Sequence, residues 1–111
     1  MWGDGEQTRS FLYVDECIEG TLRLTRSNLS GPVNIGSEEM VSLNELARMI
    51  MDIAGKVLTI EHIPGPLGVR GRKSDNELIE KTLGWKPRQS LREGLEVTYP
   101  WVEAQVAFLK N

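Results

Sequence analysis

The chain has 111 residues, of which 40% are apolar and 26% charged, and a net charge of −3. That is the length and composition of one soluble domain with a modest core, able to bury roughly 65% of its unfolded surface. The mildly acidic balance gives no reason to expect nucleic acid or an anionic membrane as a partner, and no apolar run approaches the roughly 20 residues of a membrane span. Cys17 stands alone, which excludes an internal disulfide framework, and Met1-Trp2-Gly3-Asp4 has neither the basic nor the apolar region of a signal peptide. A reducing cytoplasm is therefore the expected compartment.

In chain order, residues 1–10 read as turn, and Phe11-Leu12-Tyr13-Val14 as a short strand rich in aromatic and branched residues. Asp15 can cap a helix running to about Ser27, with Ile18 and Leu22, joined by Cys17 and Leu24, on its apolar side. After a break at 28–32, Val33-Asn34-Ile35 reads as a short internal strand with few neighbours in this chain to pair with. Ser42-Leu43-Asn44-Glu45 fits a capping box and opens a helix that Gly55 stops. Val57–Ile63 reads as another strand, ended by Pro64-Gly65-Pro66. Ser74–Glu77 and Ser90–Glu93 repeat the capping-box pattern. The first opens a short helix to Leu83 with Gly84 as its stop, and the second opens a final helix in which Pro100 predicts a kink near Tyr99 or a division into two. The sum is a mixed α/β piece of four helices and two or three short strands, too few for a self-sufficient sheet.

Absences narrow the chemistry. No Gly-x-Gly-x-x-Gly turn follows a strand, so there is no dinucleotide fingerprint, and neither Tyr13 nor Tyr99 has a lysine four positions on. One histidine and one cysteine give no zinc spacing. As a nucleophile and base, Cys17 and His62 have nothing in the spacing to unite them, and a buried structural cysteine is the better reading. Gly68-Val69-Arg70-Gly71-Arg72-Lys73 is different. Three cations share a glycine-bearing loop just before a helix, where backbone can approach a ligand closely and a guanidinium fork matches phosphate oxygens. Arg9 lies in another turn, and two converging arginines would clamp a diphosphate, although solvated loop arginines are common. Trp85 and Trp101 read as core or interface residues before stacking platforms, Trp85 packing back on the helix it follows.

Taken in order, Gly3-Asp4-Gly5-x-Gln7-Thr8-Arg9-Ser10-Phe11 with Tyr13-Val14-Asp15, then Val33-Asn34-Ile35-Gly36-Ser37, Leu83-Gly84-Trp85-x-Pro87 and Leu91-x-Glu93-Gly94-Leu95 form one pattern. It resembles the closing part of the extended short-chain dehydrogenase/reductase family, to which many nucleotide-sugar epimerases, dehydratases and decarboxylases belong. His62-Ile63-Pro64-Gly65-Pro66-x-Gly68-Val69-Arg70-Gly71-Arg72-x-Ser74-Asp75-Asn76, with Asp15–Gly20 and Pro32–Ser37, resembles more narrowly a branch acting on a GDP-linked sugar. Pro100 departs from that pattern.

The resemblance implies that residues 1–111 are a substrate-binding C-terminal domain of a nucleotide-sugar epimerase, separated from an NAD-binding Rossmann domain. Its implied ligand is a GDP-mannose-like nucleotide sugar, touched by Gln7, Thr8 and Arg9 and held at its diphosphate by Arg72. It also implies a tightly held NAD in the complete enzyme that transiently oxidises the sugar at carbon 4 so that carbons 3 and 5 can be inverted. The acid–base residues for that chemistry lie upstream in the family, so no catalytic residue carries over, and no cofactor is expected on this chain. A homodimer is implied for the complete enzyme, and self-association for this part alone. Two other readings stand beside this one: a fragment of another nucleotide-sugar 4-epimerase, dehydratase or decarboxylase, and a stand-alone binding module without catalysis.

Overall fold

The computed structural model describes residues 1–110. In chain order the elements are β1 (Thr8–Ser10), α1 (Val14–Thr25), β2 (Met40–Ser42), α2 (Leu43–Ile53), α3 (Glu77–Leu83) and α4 (Leu91–Leu109). The two strands form one antiparallel ladder that pairs Thr8 with Ser42, Arg9 with Val41 and Ser10 with Met40. Four helices around a minimal sheet is the mixed α/β piece expected, but its strands lie elsewhere. Phe11–Tyr13 is an irregular link into α1, because the available pairing partner, Met40–Ser42, meets the residues just before it. Residues 33–35 form no strand and pair with neither β1 nor β2. Of 57–63 only Ile63 is bridged, in parallel, to Trp2.

Local chemistry sets the helix ends. Ser42 and Ser90 close reciprocal capping boxes with Glu45 and Glu93, and these carboxyls are held below their usual range first by the serine amides that they accept from. Gly84 adopts φ 63° and stops α3 in the left-handed conformation that a side chain disfavours. The third expected box does not form. Ser74 Oγ donates to Asn76 Oδ1 at 2.9 Å, and the Glu77 amide goes to Asp75 Oδ1 at 2.9 Å. Asn76, which occupies the cap position, sends its own amide to the Gly36 carbonyl at 2.6 Å. A tertiary bond has replaced a local one. Asp15 likewise falls inside the first turn of α1, where its charge complements the helix dipole, and Tyr13 occupies the cap. α4 passes through Pro100 as one helix. Glu96, whose carbonyl the proline cannot serve, is exposed, so water can take its place.

The core is thin. Only Val41, Ile79 and Leu91 are buried large apolar residues, against seventeen exposed ones among the described residues. The accessible surface is 7901 Å², where a folded monomer of 12.5 kDa would show about 6,200 Å². The radius of gyration, 16.8 Å, also exceeds the roughly 13 Å expected of a self-contained domain this long. Orientation of α1 accounts for part of this. Its body-facing side is Gly20, where a methyl group would meet Trp85 Cζ3 at 2.8 Å and Ile35 Cγ2 at 3.0 Å. Trp85 therefore packs on α1, with Arg23 5.8 Å from its ring. Val14, Ile18 and Leu22 point outward, and Cys17 is exposed, not buried. Trp101 is 65% exposed on α4 and belongs to no core.

Candidate functional site

The N-terminal turn and the 61–73 loop are zipped together. Met1 and Gly3 bond Ile63 through backbone at 2.9 Å, and the Thr8 amide donates to the Arg70 carbonyl at 2.9 Å. The two segments approach so closely that a methyl group on Gly71 would lie 2.7 Å from Thr8 Oγ1, and one on Gly3 would collide with Leu67. Asn44, buried in the first turn of α2, fastens this unit from below. Its Nδ2 donates to the Asp4 carbonyl at 2.9 Å and to Glu6 Oε1 at 2.6 Å, and its Oδ1 lies 2.8 Å from His62 Nε2. His62 is thereby committed to Asn44.

Beside this unit opens a cleft of about 370 Å³. Arg9 reaches it from β1, and Arg72 and Lys73 from the loop. Asn34, Ser10, Ser37 and Ser74 add neutral donors, and no carboxylate lines it. Its far wall is pinned by the Asn76–Gly36 bond, and a methyl group on Gly36 would sit 2.6 Å from Ser74 Cβ. Arg9 Nη1 donates at 2.7 Å to the neighbouring Thr8 carbonyl, and neither Arg9 nor Arg72 forms an ion pair among the described residues. Three cations without a compensating acid favour an anion, and guanidiniums favour a phosphate. A neighbouring hollow of about 430 Å³ sets Asp75 and Glu77 against Lys81 and offers no such bias.

Of the residues singled out in the sequence, Arg9 and Arg72 thus come together on one cleft. Gln7 and Thr8 are not part of its lining. Gln7 is 4% exposed, donates to the Trp2 carbonyl at 3.4 Å and leaves Oε1 buried without a donor. Arg70, undistinguished from its neighbours in the sequence, is taken up by Asp4: its Nη1 lies 3.2 Å from both carboxylate oxygens. The Asp4 carboxyl is held below its ordinary range, first by the Glu6 amide and then by Arg70.

No family model matches the chain. It is 60% identical over 106 residues to GDP-mannose 3,5-epimerase of Arabidopsis thaliana, and 58% identical over 106 residues to GDP-mannose 3,5-epimerase 1 of rice, Oryza sativa. Each match covers 96% of this chain and 28% of the relative. Among solved structures it superposes with a TM-score of 0.88 and 29% identity on UDP-glucose 4-epimerase of Thermotoga maritima with UDP-glucose, over 96% of this chain and 35% of that one. On UDP-glucuronic acid 4-epimerase of Bacillus cereus, in complex with UDP-glucuronic acid and NAD, the values are 0.86 and 30%, over 95% and 35%. The chain is similar to members of the extended short-chain dehydrogenase/reductase family. It corresponds to the C-terminal part of nucleotide-sugar epimerases in that family and spans little more than a quarter of the curated relatives' length.

The residues that sequence reasoning missed are mostly the ones that hold the cleft together. Asn44, Asn76, Asp4 and Glu16 act across the chain. Glu16 Oε1 accepts the amides of Arg88 and Gln89 at 2.6 and 3.0 Å, fixing the approach to α4. Asn44, Asn76 and Glu16 carry only the signal of a polar residue beside a helix start, and Asp4 that of a polar residue in a turn, which many solvated positions share. The chain has no glycine-rich strand-to-helix turn, and Tyr99 has Glu103, not lysine, four positions on.

Proposed function

We propose that this chain is the nucleotide-sugar-binding part of an enzyme similar to GDP-mannose 3,5-epimerase, and that Arg9 and Arg72 clamp the diphosphate of a GDP-mannose-like ligand. The observation that carries the reading is the convergence of these two guanidiniums, with Lys73, on a cleft without a carboxylate. Its 60% identity to the Arabidopsis epimerase favours a GDP-linked sugar over a UDP-linked one. Thr8 and Gln7 serve from behind the cleft, keeping β1 and the loop in register. Chemistry is supplied by an NAD-binding domain outside this segment, so the chain alone binds without turning over. The thin core and outward apolar faces support dependence on that domain, or on a second copy, for cover. They weigh against a stand-alone binding module.

The test is binding and turnover of GDP-mannose by the full-length protein. Arg9→Gln or Arg72→Gln should each weaken binding by about 2 kcal/mol, the scale of a charge-assisted contact. Changes of only a few tenths for both would refute the clamp. A preference for UDP-glucose or UDP-glucuronic acid would move the protein to another branch of the family.

A further inference from the structure

We propose that the Asp4–Arg70 ion pair is a positioning device that sets the distance between Arg9 and Arg72; the role rests on the diphosphate clamp proposed above. The geometry is that of a closed ring. From Asp4 the chain runs four residues to Thr8, whose amide bonds the Arg70 carbonyl at 2.9 Å, and the Arg70 side chain returns to Asp4 at 3.2 Å. Arg9 is the next residue after the ring on one side, and Arg72 lies two residues beyond it on the other. Any drift of the loop along β1 must stretch the ring.

The acceptor is itself fixed. Asp4 Oδ1 takes the Glu6 amide at 2.9 Å, and the Asp4 carbonyl takes Asn44 Nδ2 at 2.9 Å, which ties the ring to the first turn of α2. Glycines on both segments allow the backbones to lie this close. The pair is half exposed or more on both sides, so its direct contribution to folding is small. Its consequence lies in placement, because a clamp for two phosphates loses its grip when one arm shifts by a fraction of an ångström. The pair has a second effect. Arg70 and Arg72 are two residues apart in a glycine-bearing loop, and occupying Arg70 leaves Arg72 as the loop's guanidinium for the anion.

The experiment uses the full-length protein, with GDP and GMP titrated calorimetrically and GDP-mannose turnover measured in parallel. Asp4→Asn and Arg70→Gln should each weaken GDP about tenfold and GMP much less, raising KM for GDP-mannose with kcat retained. Because both break the same ring, the double variant should be no worse than either single one. Asp4→Glu, which keeps the charge, should recover part of the loss. A merely structural role would lower the number of competent sites while leaving the GDP-to-GMP ratio intact. That result, or wild-type GDP affinity in both single variants, overturns the proposal. Arg9→Gln and Arg72→Gln in the same titrations separate the two levels. If they too keep GDP affinity, the clamp reading falls; if they lose it while the Asp4 and Arg70 variants do not, only the positioning role falls.

Discussion

The loop-and-strand unit around the cleft and the outer half of α4 are built on opposite terms. Around the cleft, polar groups answer one another across long stretches of chain: Asn76 with Gly36, Asn44 with Asp4 and His62, Arg70 with Asp4. What is left unanswered there is positive charge. Along α4, Val97, Trp101, Val106, Phe108 and Leu109 are exposed, and what is left unanswered is apolar surface. The contrast separates two dependences that are easily merged. Cleft geometry rests on contacts within this chain, whereas the exposed apolar side chains of α4 find no cover among the described residues. An unanswered charge calls for a ligand, and an unanswered apolar face for a protein partner.

The most severe way to break the contrast is to attack the small core that the cleft leans on. Ile79 is fully buried on α3, one turn from Asn76. Ile79→Ala should cost about 2–4 kcal/mol in denaturant unfolding, the range for deleting a well-packed aliphatic side chain. In so thin a core that loss should take the Asn76–Gly36 wall with it, so anion affinity should fall together with stability. A variant that loses stability but binds GDP normally would show that the wall is held by something other than α3.

How much of this was legible beforehand follows the reach of each interaction. Ser42-x-x-Glu45 and Ser90-x-x-Glu93 close within four residues, so their helix starts can be read from sequence, as can the Gly84 stop. Ser74-x-x-Glu77 has the same letters and fails, because Asn76 finds a partner forty positions away that no local pattern reveals. Periodicity identified Ile18 and Leu22 as one face of α1 but could not say that the face points away from this chain, with Gly20 turned inward. The cation-rich glycine loop and its family resemblance pointed to Arg9 and Arg72. Only coordinates distinguish Arg70, by giving it Asp4.

A smaller effect sharpens the comparison at the caps. Ser42→Ala should cost about 1 kcal/mol. Part of that contribution depends on pH. The Glu45 carboxyl is held below its ordinary 4.5 by the Ser42 amide and hydroxyl, so its share is complete above that value and disappears as pH falls through the lowered one. Alanine keeps the amide and loses only the hydroxyl's part, so melting temperatures of the wild type and Ser42→Ala should draw only slightly closer in the most acidic buffers. Glu45→Gln should flatten that change. An unchanged gap down to the acid limit would mean that the serine hydroxyl alone, not the reciprocal carboxylate, makes the cap.

The smallest expected change in stability is the most informative about the apolar region. Trp101 is 65% exposed, so Trp101→Ser removes little buried area and should alter unfolding of this chain by less than about 0.5 kcal/mol. The same substitution should reduce self-association at high concentration and binding of an apolar dye, because both report the surface that the tryptophan contributes. In the full-length protein the outcome depends on what covers α4. If residues outside this chain pack there, Trp101→Ser becomes destabilising by a few kcal/mol, since a buried aromatic is then truncated. If the effect stays small there while association between copies weakens, the face belongs to a second copy. Little change in either setting would leave the excess surface to α1, where Val14, Ile18 and Leu22 form the other uncovered stripe.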